Sequence, residues 1–222
     1  MSERAQRRVS GGEYVYAELK RRILSLDLEP GQRLYEPALA IELEVSRTPL
    51  REGMRRLISE NLLEQQPTGG VVVPRLDARD IAELYDVRAV LESSMAASAC
   101  VKATAADLEQ LRGLLDRNTA LVGFAEDAMN AGRAIHNKIA VIADNSWSVR
   151  LHEQITNQMR RYQRLTNSAQ DRRDTALAEH RDIVEAVGSG DPERAAAAAR
   201  RHVMNARDEA LRSIEHKLTT TR

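Results

Sequence analysis

Apolar residues recur at helical spacing along most of the chain, but the punctuation between them is uneven. Gly and Pro cluster in the first third: Gly11-Gly12, Pro30-Gly31, Pro37, Pro49, Pro67, Gly69-Gly70 and Pro74. Beyond Pro74 the one proline is Pro192. The pattern predicts short elements with tight turns before residue 76 and long helices after it. In the first part, Tyr16, Leu19, Ile23 and Leu26, widened by Leu24 and Leu28, mark a helix closed by Glu29-Pro30-Gly31. Pro37–Leu43 reads as a second helix, with Pro37 in the first turn, where a missing N–H costs nothing. Ser46 is placed to cap a third helix running through Leu50, Met54, Leu57 and Ile58. Residues 62–66 and 71–73 read as two strands joined by the turn Pro67-Thr68-Gly69-Gly70.

Helix, helix, turn, helix, hairpin is the order of a winged helix-turn-helix. In the second part, six stripes follow. Ile81, Leu84, Tyr85, Leu91 and Met95 mark Ala78–Cys100, and Leu108, Leu111 and Leu114 mark Ala105–Leu121. Met129, Ile135, Ile139 and Ile142 mark Phe124–Ala143, and Val149, Leu151, Ile155 and Met159 mark a helix from Ser146 to about residue 168. Leu177, His180, Ile183, Val184 and Val187 mark Thr175–Val187, and Asp191-Pro192 opens a last helix. Short links between long helices predict an antiparallel bundle. The expected fold is mainly α: a winged helix-turn-helix over 10–76, then an antiparallel α-helical bundle over 77–218.

Composition changes this picture in two places. Aromatics make up only 3% of the chain, which favours closely packed helices over a β-sandwich. Lys+Arg and Asp+Glu are 33 each, so net charge is zero. Evenly spread, that balance would argue against nucleic acid. It is not evenly spread: the third helix carries Arg47, Arg51, Arg55 and Arg56 against one acid, Glu52. The single cysteine, Cys100, cannot form an internal disulfide, which fits a reducing cytoplasm. No apolar stretch follows the basic start, and no run of 18 apolar residues exists, so neither a signal peptide nor a membrane span is expected.

Candidate chemistry sits on both parts. Arg47, Thr48 and Arg51 lie near the start of the third helix, where a recognition helix meets base edges; the forked guanidinium suits the O6/N7 edge of guanine. Charged helix faces are usually only solvated, but solvation does not explain the short helix, cap and Gly-rich hairpin around this one. His136, His180 and His202 lie on inward faces of three helices and could converge on one divalent ion, such as zinc. Inward histidines also serve as plain hydrogen-bonded core residues. His152 and His216 read as surface residues. Arg88 interrupts an apolar stripe and needs an anion, either Glu92 one turn on or a bound carboxylate.

The text of residues 13–76 resembles the DNA-binding domain of GntR-family transcription regulators. The resemblance is carried by Leu28-Glu29-Pro30-Gly31-Gln32-Arg33-Leu34, Leu39-Ala40, Val45-Ser46-Arg47-Thr48-Pro49-Leu50-Arg51-Glu52, Leu57, Leu62 and Gly70. It implies DNA contacts from Arg33, Ser46, Arg47, Thr48 and Arg51, with Gly70 in a wing tip. Glu44 stands where the family usually has Gly, which implies a strained turn, and Pro37 stands where some members carry a DNA-contacting Arg. Residues 78–215 resemble the FCD effector domain of the FadR subfamily. The matching stretches are Leu84-Tyr85-Asp86-Val87-Arg88-Ala89-Val90-Leu91-Glu92, Ile135-His136-Asn137-Lys138-Ile139-Ala140 with Asn145, Glu179-His180-Arg181-Asp182-Ile183-Val184-Glu185-Ala186-Val187, Gly190-Asp191 and Ala199-Arg200-Arg201-His202. In metal-binding members the three histidines are joined by an Asp one turn before the first; here that position is Gly132. The same resemblance makes Arg88 an effector-facing residue.

The expected function is therefore a homodimeric, ligand-responsive transcription regulator, a repressor, that binds double-stranded operator DNA. His136, His180 and His202 are expected to hold a divalent metal, zinc by preference, whose open positions take a small carboxylate steered by Arg88. Two alternatives stand beside it: a metal-free regulator that binds a fatty acyl ligand, and a metal-dependent hydrolase. The second wants a general base, and Glu179 beside His180 is expected to point away.

Overall fold

The computed structural model describes residues 10–67, 69–75, 77–166 and 170–220, with the side chains of all but 161–166 and 214–220. The basic first nine residues, Thr68 in the expected turn and the side chain of His216 lie outside that set. The chain divides into two compact units between residues 76 and 77.

In the first unit, α1 (Gly11–Ser25) starts at Ser10, whose hydroxyl accepts from the Glu13 N–H at 3.2 Å. It ends one residue short of the expected stripe: Leu26 sits at φ 66°, outside the helix. That left-handed residue turns the chain so that Leu28, not Leu26, enters the core. A two-residue strand that periodicity could not reveal, β1 (Arg33–Leu34), follows. Then come α2 (Glu36–Glu42), α3 (Arg47–Ser59), β2 (Glu64–Gln65) and β3 (Val71–Val72). The sheet order is β1-β3-β2, both pairs antiparallel, with Arg33 opposite Val72 and Gln65 opposite Val71. Val15, Leu19, Ile23, Leu50, Leu57 and Leu62 form a core closed to solvent. Gly53 lets α3 touch α1 backbone to backbone, since a Cβ there would lie 2.8 Å from the Tyr16 nitrogen. Glu44 adopts φ 55°, the strained left-handed turn that its replacement of Gly implies.

The second unit holds six helices among the described residues: α4 (Ala78–Lys102), α5 (Ala105–Leu121), α6 (Ala125–Ala143), α7 (Ser146–Thr166), α8 (Gln170–Val187) and α9 (Pro192–Thr220). Asp77 with Asp80 and Thr104 with Asp107 form capping boxes that fix the starts of α4 and α5. Helix α4 packs most extensively on α9 and also meets α6, α7 and α8. Small residues make the close approach possible: Ala96 and Ala99 on α4 share a core with Ala195 and Ala199 on α9. Ile135, Ile139 and Ile183 fill the same core, each contributing about 1.5–3 kcal/mol by leaving water. The mainly helical fold with a small winged sheet is the one the apolar pattern predicts.

Candidate functional site

The first unit presents its cations outward. Arg47, Thr48 and Arg51 are exposed on the first turn and a half of α3. Ser46 takes the cap position, yet its side chain makes no capping hydrogen bond, so the exposed hydroxyl remains open to a phosphate. Arg51 is steadied by Glu36 on α2, its Nε donating to Oε2 at 2.9 Å. Arg33 is exposed on β1, and Gly70 at φ 88° has nothing within 4 Å of where a Cβ would be. Arg56 does not join this set. It stacks 3.8 Å over the Tyr16 ring and pairs with Glu13, both on α1.

The second unit buries its charges. His136 from α6, His180 from α8 and His202 from α9 meet with ring centroids 4.8–5.1 Å apart. One nitrogen from each lies within 4.8 Å of the others. Each ring's Nδ1 has its own partner. That of His180 donates to Asn118 Oδ1 at 2.8 Å, and that of His202 to Glu179 Oε2 at 2.8 Å. That of His136 lies at ion-pair distance, 2.9 Å, from Glu92 Oε2, without the alignment of a hydrogen bond. A proton held on Nδ1 leaves the Nε2 lone pair as donor. Nε2 of His136 and Nε2 of His180 face each other at 3.2 Å. At that distance either one nitrogen carries a proton and donates it to the other, or a cation sits between them; two nitrogens bound tetrahedrally at about 2.0–2.1 Å would lie about 3.3 Å apart. Burial, then the neighbouring rings, pushes the His180 pKa far below its ordinary value. Burial also brings His202 down to about 4, against the pull of Glu179. Both rings are neutral at pH 7, the form that binds a metal.

Two expectations need correction. His152 is not a surface residue: it is 3% exposed, and its Nε2 meets Glu92 Oε1 at 2.9 Å. Its position flanks the α7 stripe, but the bundle puts α4 against that flank. Glu179 does not point away. It lies a third of a turn from His180, and its long side chain reaches α9, where it meets His202 and takes a 2.7 Å hydrogen bond from Asn205. Arg172 approaches it at 3.2 Å.

Arg88 faces inward as expected, and Glu92 accepts from its Nε at 2.5 Å. Glu92 is thus shared by Arg88, His136 and His152. Burial pushes its pKa up, but Arg88 and then His136 outweigh burial and hold the carboxyl well below the usual range. Arg88 and the three histidines line a cavity of about 790 Å³ including its open mouth. Gly132 lies on its wall, and a Cβ there would sit 2.5 Å from His180 Cε1. His180 therefore fills the space from which a carboxylate at 132 would reach.

Comparison with known proteins places both units. Residues 12–73 match the model of bacterial regulatory proteins of the gntR family, and residues 83–205 match the FCD domain. The chain belongs to the GntR family. It is a DNA-binding transcriptional regulator with an FCD domain, not an enzyme. This GntR-family regulator is 31% identical to the uncharacterized HTH-type transcriptional regulator YdhC of Bacillus subtilis over 85% of its length and 84% of that protein's. It is also 31% identical to the Nta operon transcriptional regulator of Aminobacter aminovorans, over 62% of its own length and 66% of that protein's. Among solved structures, McbR/YncC of Escherichia coli superposes with a TM-score of 0.74 at 25% identity, covering 89% of the regulator and 95% of McbR. No described helix of the regulator is long and apolar enough to cross a membrane.

Proposed function

We propose that this regulator is a homodimeric repressor whose operator affinity is set by a small carboxylate bound, together with a divalent metal, in the FCD unit. The observation that carries the metal reading is the convergence of three imidazoles whose Nδ1 atoms lie against Glu92, Asn118 and Glu179. His136, His180 and His202 would hold the ion, with zinc favoured by the all-imidazole donor set. When bound, the ion supplies positive charge and open coordination positions suited to a carboxylate. Arg88 commits only Nε to Glu92, and its two terminal amino groups are left for an anion in the cavity.

In the winged unit, Arg47, Thr48 and Arg51 would read bases in the major groove. Ser46 and Arg33 would hold phosphates, and Gly70 would bring the wing against the minor groove. A dimer is supported by α4, where Val87, Val90 and Val101 stand exposed within one narrow arc of the helix. Two recognition helices would then meet half-sites about one helical turn apart. The ligand switches the regulator only if it binds the DNA-competent and incompetent arrangements unequally.

The fatty acyl alternative is disfavoured by the arginines Arg88, Arg133, Arg172 and Arg173 on the cavity wall. The hydrolase is disfavoured because both acids beside the histidines are engaged by other side chains. Metal analysis of untagged protein, with a thermal-shift screen of small carboxylates with and without chelator, tests the proposal. One metal per chain and a stabilisation lost on chelation is the expected result. Sub-stoichiometric metal with unchanged carboxylate binding would overturn the metal site.

A further inference from the structure

The arginines on the cavity wall are not equivalent. Arg88 is paired with Glu92, Arg172 with Glu179 at 3.2 Å, and Arg173 donates through Nε to the Val122 carbonyl at 2.9 Å. Arg133 differs. It lies on α6, between Gly132 and the His136 turn, and also lines the cavity. Its Nη1 reaches only the neutral Asn130 side chain, at 3.2 Å. Its Nη2 is shut off from solvent and has no acceptor among the described residues. No carboxylate pairs with it among the described residues. Burial, then the cations Arg160 and Arg88, bring its pKa down to about 10, so it stays charged at neutral pH.

Arg133 is half-buried, but the one enclosed and unpaired nitrogen makes its guanidinium a liability in the ligand-free protein. No described carboxylate offsets it, although Glu92 lies against Arg88 and Glu179 against Arg172. The neighbour of Arg133 in sequence, Gly132, brings no charge either. The missing charge has to arrive with the ligand.

We propose that the effector carries two anionic groups: one faces the histidine cluster and Arg88, and the second is taken by Arg133. A monocarboxylate satisfies only the first. The ligand class is therefore a small dianion, a dicarboxylate in its simplest form, and Arg133 is the residue that distinguishes it from a monoanion. This rests on the reading of the cavity as a carboxylate site.

The test uses the full, untagged, zinc-loaded protein and three chain-length-matched pairs: propionate and malonate, butyrate and succinate, valerate and glutarate. Calorimetric titration should find at least one dicarboxylate roughly ten- to a hundredfold tighter than its monocarboxylate partner, the worth of one added charge-assisted contact. Arg133→Met should erase that gap while leaving the monocarboxylate within about twofold, and Arg133→Lys should restore part of it. Without ligand, Arg133→Met should melt higher than the parent, because an unpaired charge has been removed. A residue with a merely structural role would melt lower when replaced. Equal binding within every pair, a gap that survives Arg133→Met, or a lower melting point for that variant overturns the two-anion ligand and leaves the carboxylate site standing. No binding by either series, in parent or variant, overturns the carboxylate site and this proposal together.

Discussion

The winged unit and the helical unit handle charge in opposite ways. On α3, Arg47, Arg51 and Arg55 stand in water, and the one ion pair they make among the described residues joins exposed Arg51 to a half-buried Glu36. In the bundle, Arg88, Glu92, His136, His180 and His202 are all at least nine-tenths buried. The difference follows from what each surface meets. A polyanion brings many charges and sheds its own counterions, so an arginine facing DNA can wait in solvent at little cost. A small ligand must be held by groups already out of water, and those groups must neutralise one another in the meantime. Recognition by the first unit should therefore be separable from its stability. In the second unit the two should be inseparable.

Glu92→Gln strikes the buried side hardest. It strips Arg88 of its counter-ion and loosens His136 and His152, and should cost about 3–5 kcal/mol in urea unfolding. Acid should act on the same cluster in metal-stripped protein. His202 titrates at about 4 when folded against about 6.5 unfolded, so between those values the unfolded chain binds more protons. Stability is then full above pH 6.5 and drains as pH falls toward 4, by on the order of 3 kcal/mol, readable as a falling melting temperature. A melting temperature flat across that range would mean that the cluster is not buried neutral. Arg51→Ala tests the exposed side. Operator affinity by fluorescence anisotropy should drop by about 1–3 kcal/mol while unfolding stays within about 0.5 kcal/mol. Unchanged affinity would remove Arg51 from the interface. The smallest effect belongs to Glu44→Gly, which should relieve the left-handed turn and stabilise the winged unit by about 1 kcal/mol.

The same contrast explains what was legible in the sequence. Long helices announced themselves because burying one face imposes a 3.6-residue period; α5 begins and ends where its leucines predict. β1 did not, since Arg33–Leu34 is too short to carry a period and exists only through its pairing with β3. The convergence of His136, His180 and His202 could be read because each sits on an apolar stripe. The partners that orient them could not: Asn118 and His180 are 62 positions apart, and Glu179 and His202 are 23. A polar side chain on a bundle helix acquires its role from the helix packed opposite, and spacing along its own helix is silent about that. Glu179 misled for the same reason, since a helical wheel fixes the direction of a Cβ and not the reach of the carboxylate beyond it.

Gly132 has a consequence for how this site can change over generations. An aspartate there would drive its Cβ into the His180 ring, which Asn118 holds in place. The substitution is unproductive unless the ring moves first, and the ring has no reason to move until the aspartate is present. Such mutual dependence works as a ratchet. Adjustment of what the cavity accepts therefore falls to residues that can change alone, because an aspartate ligand at 132 lies behind a step that neither residue can take alone.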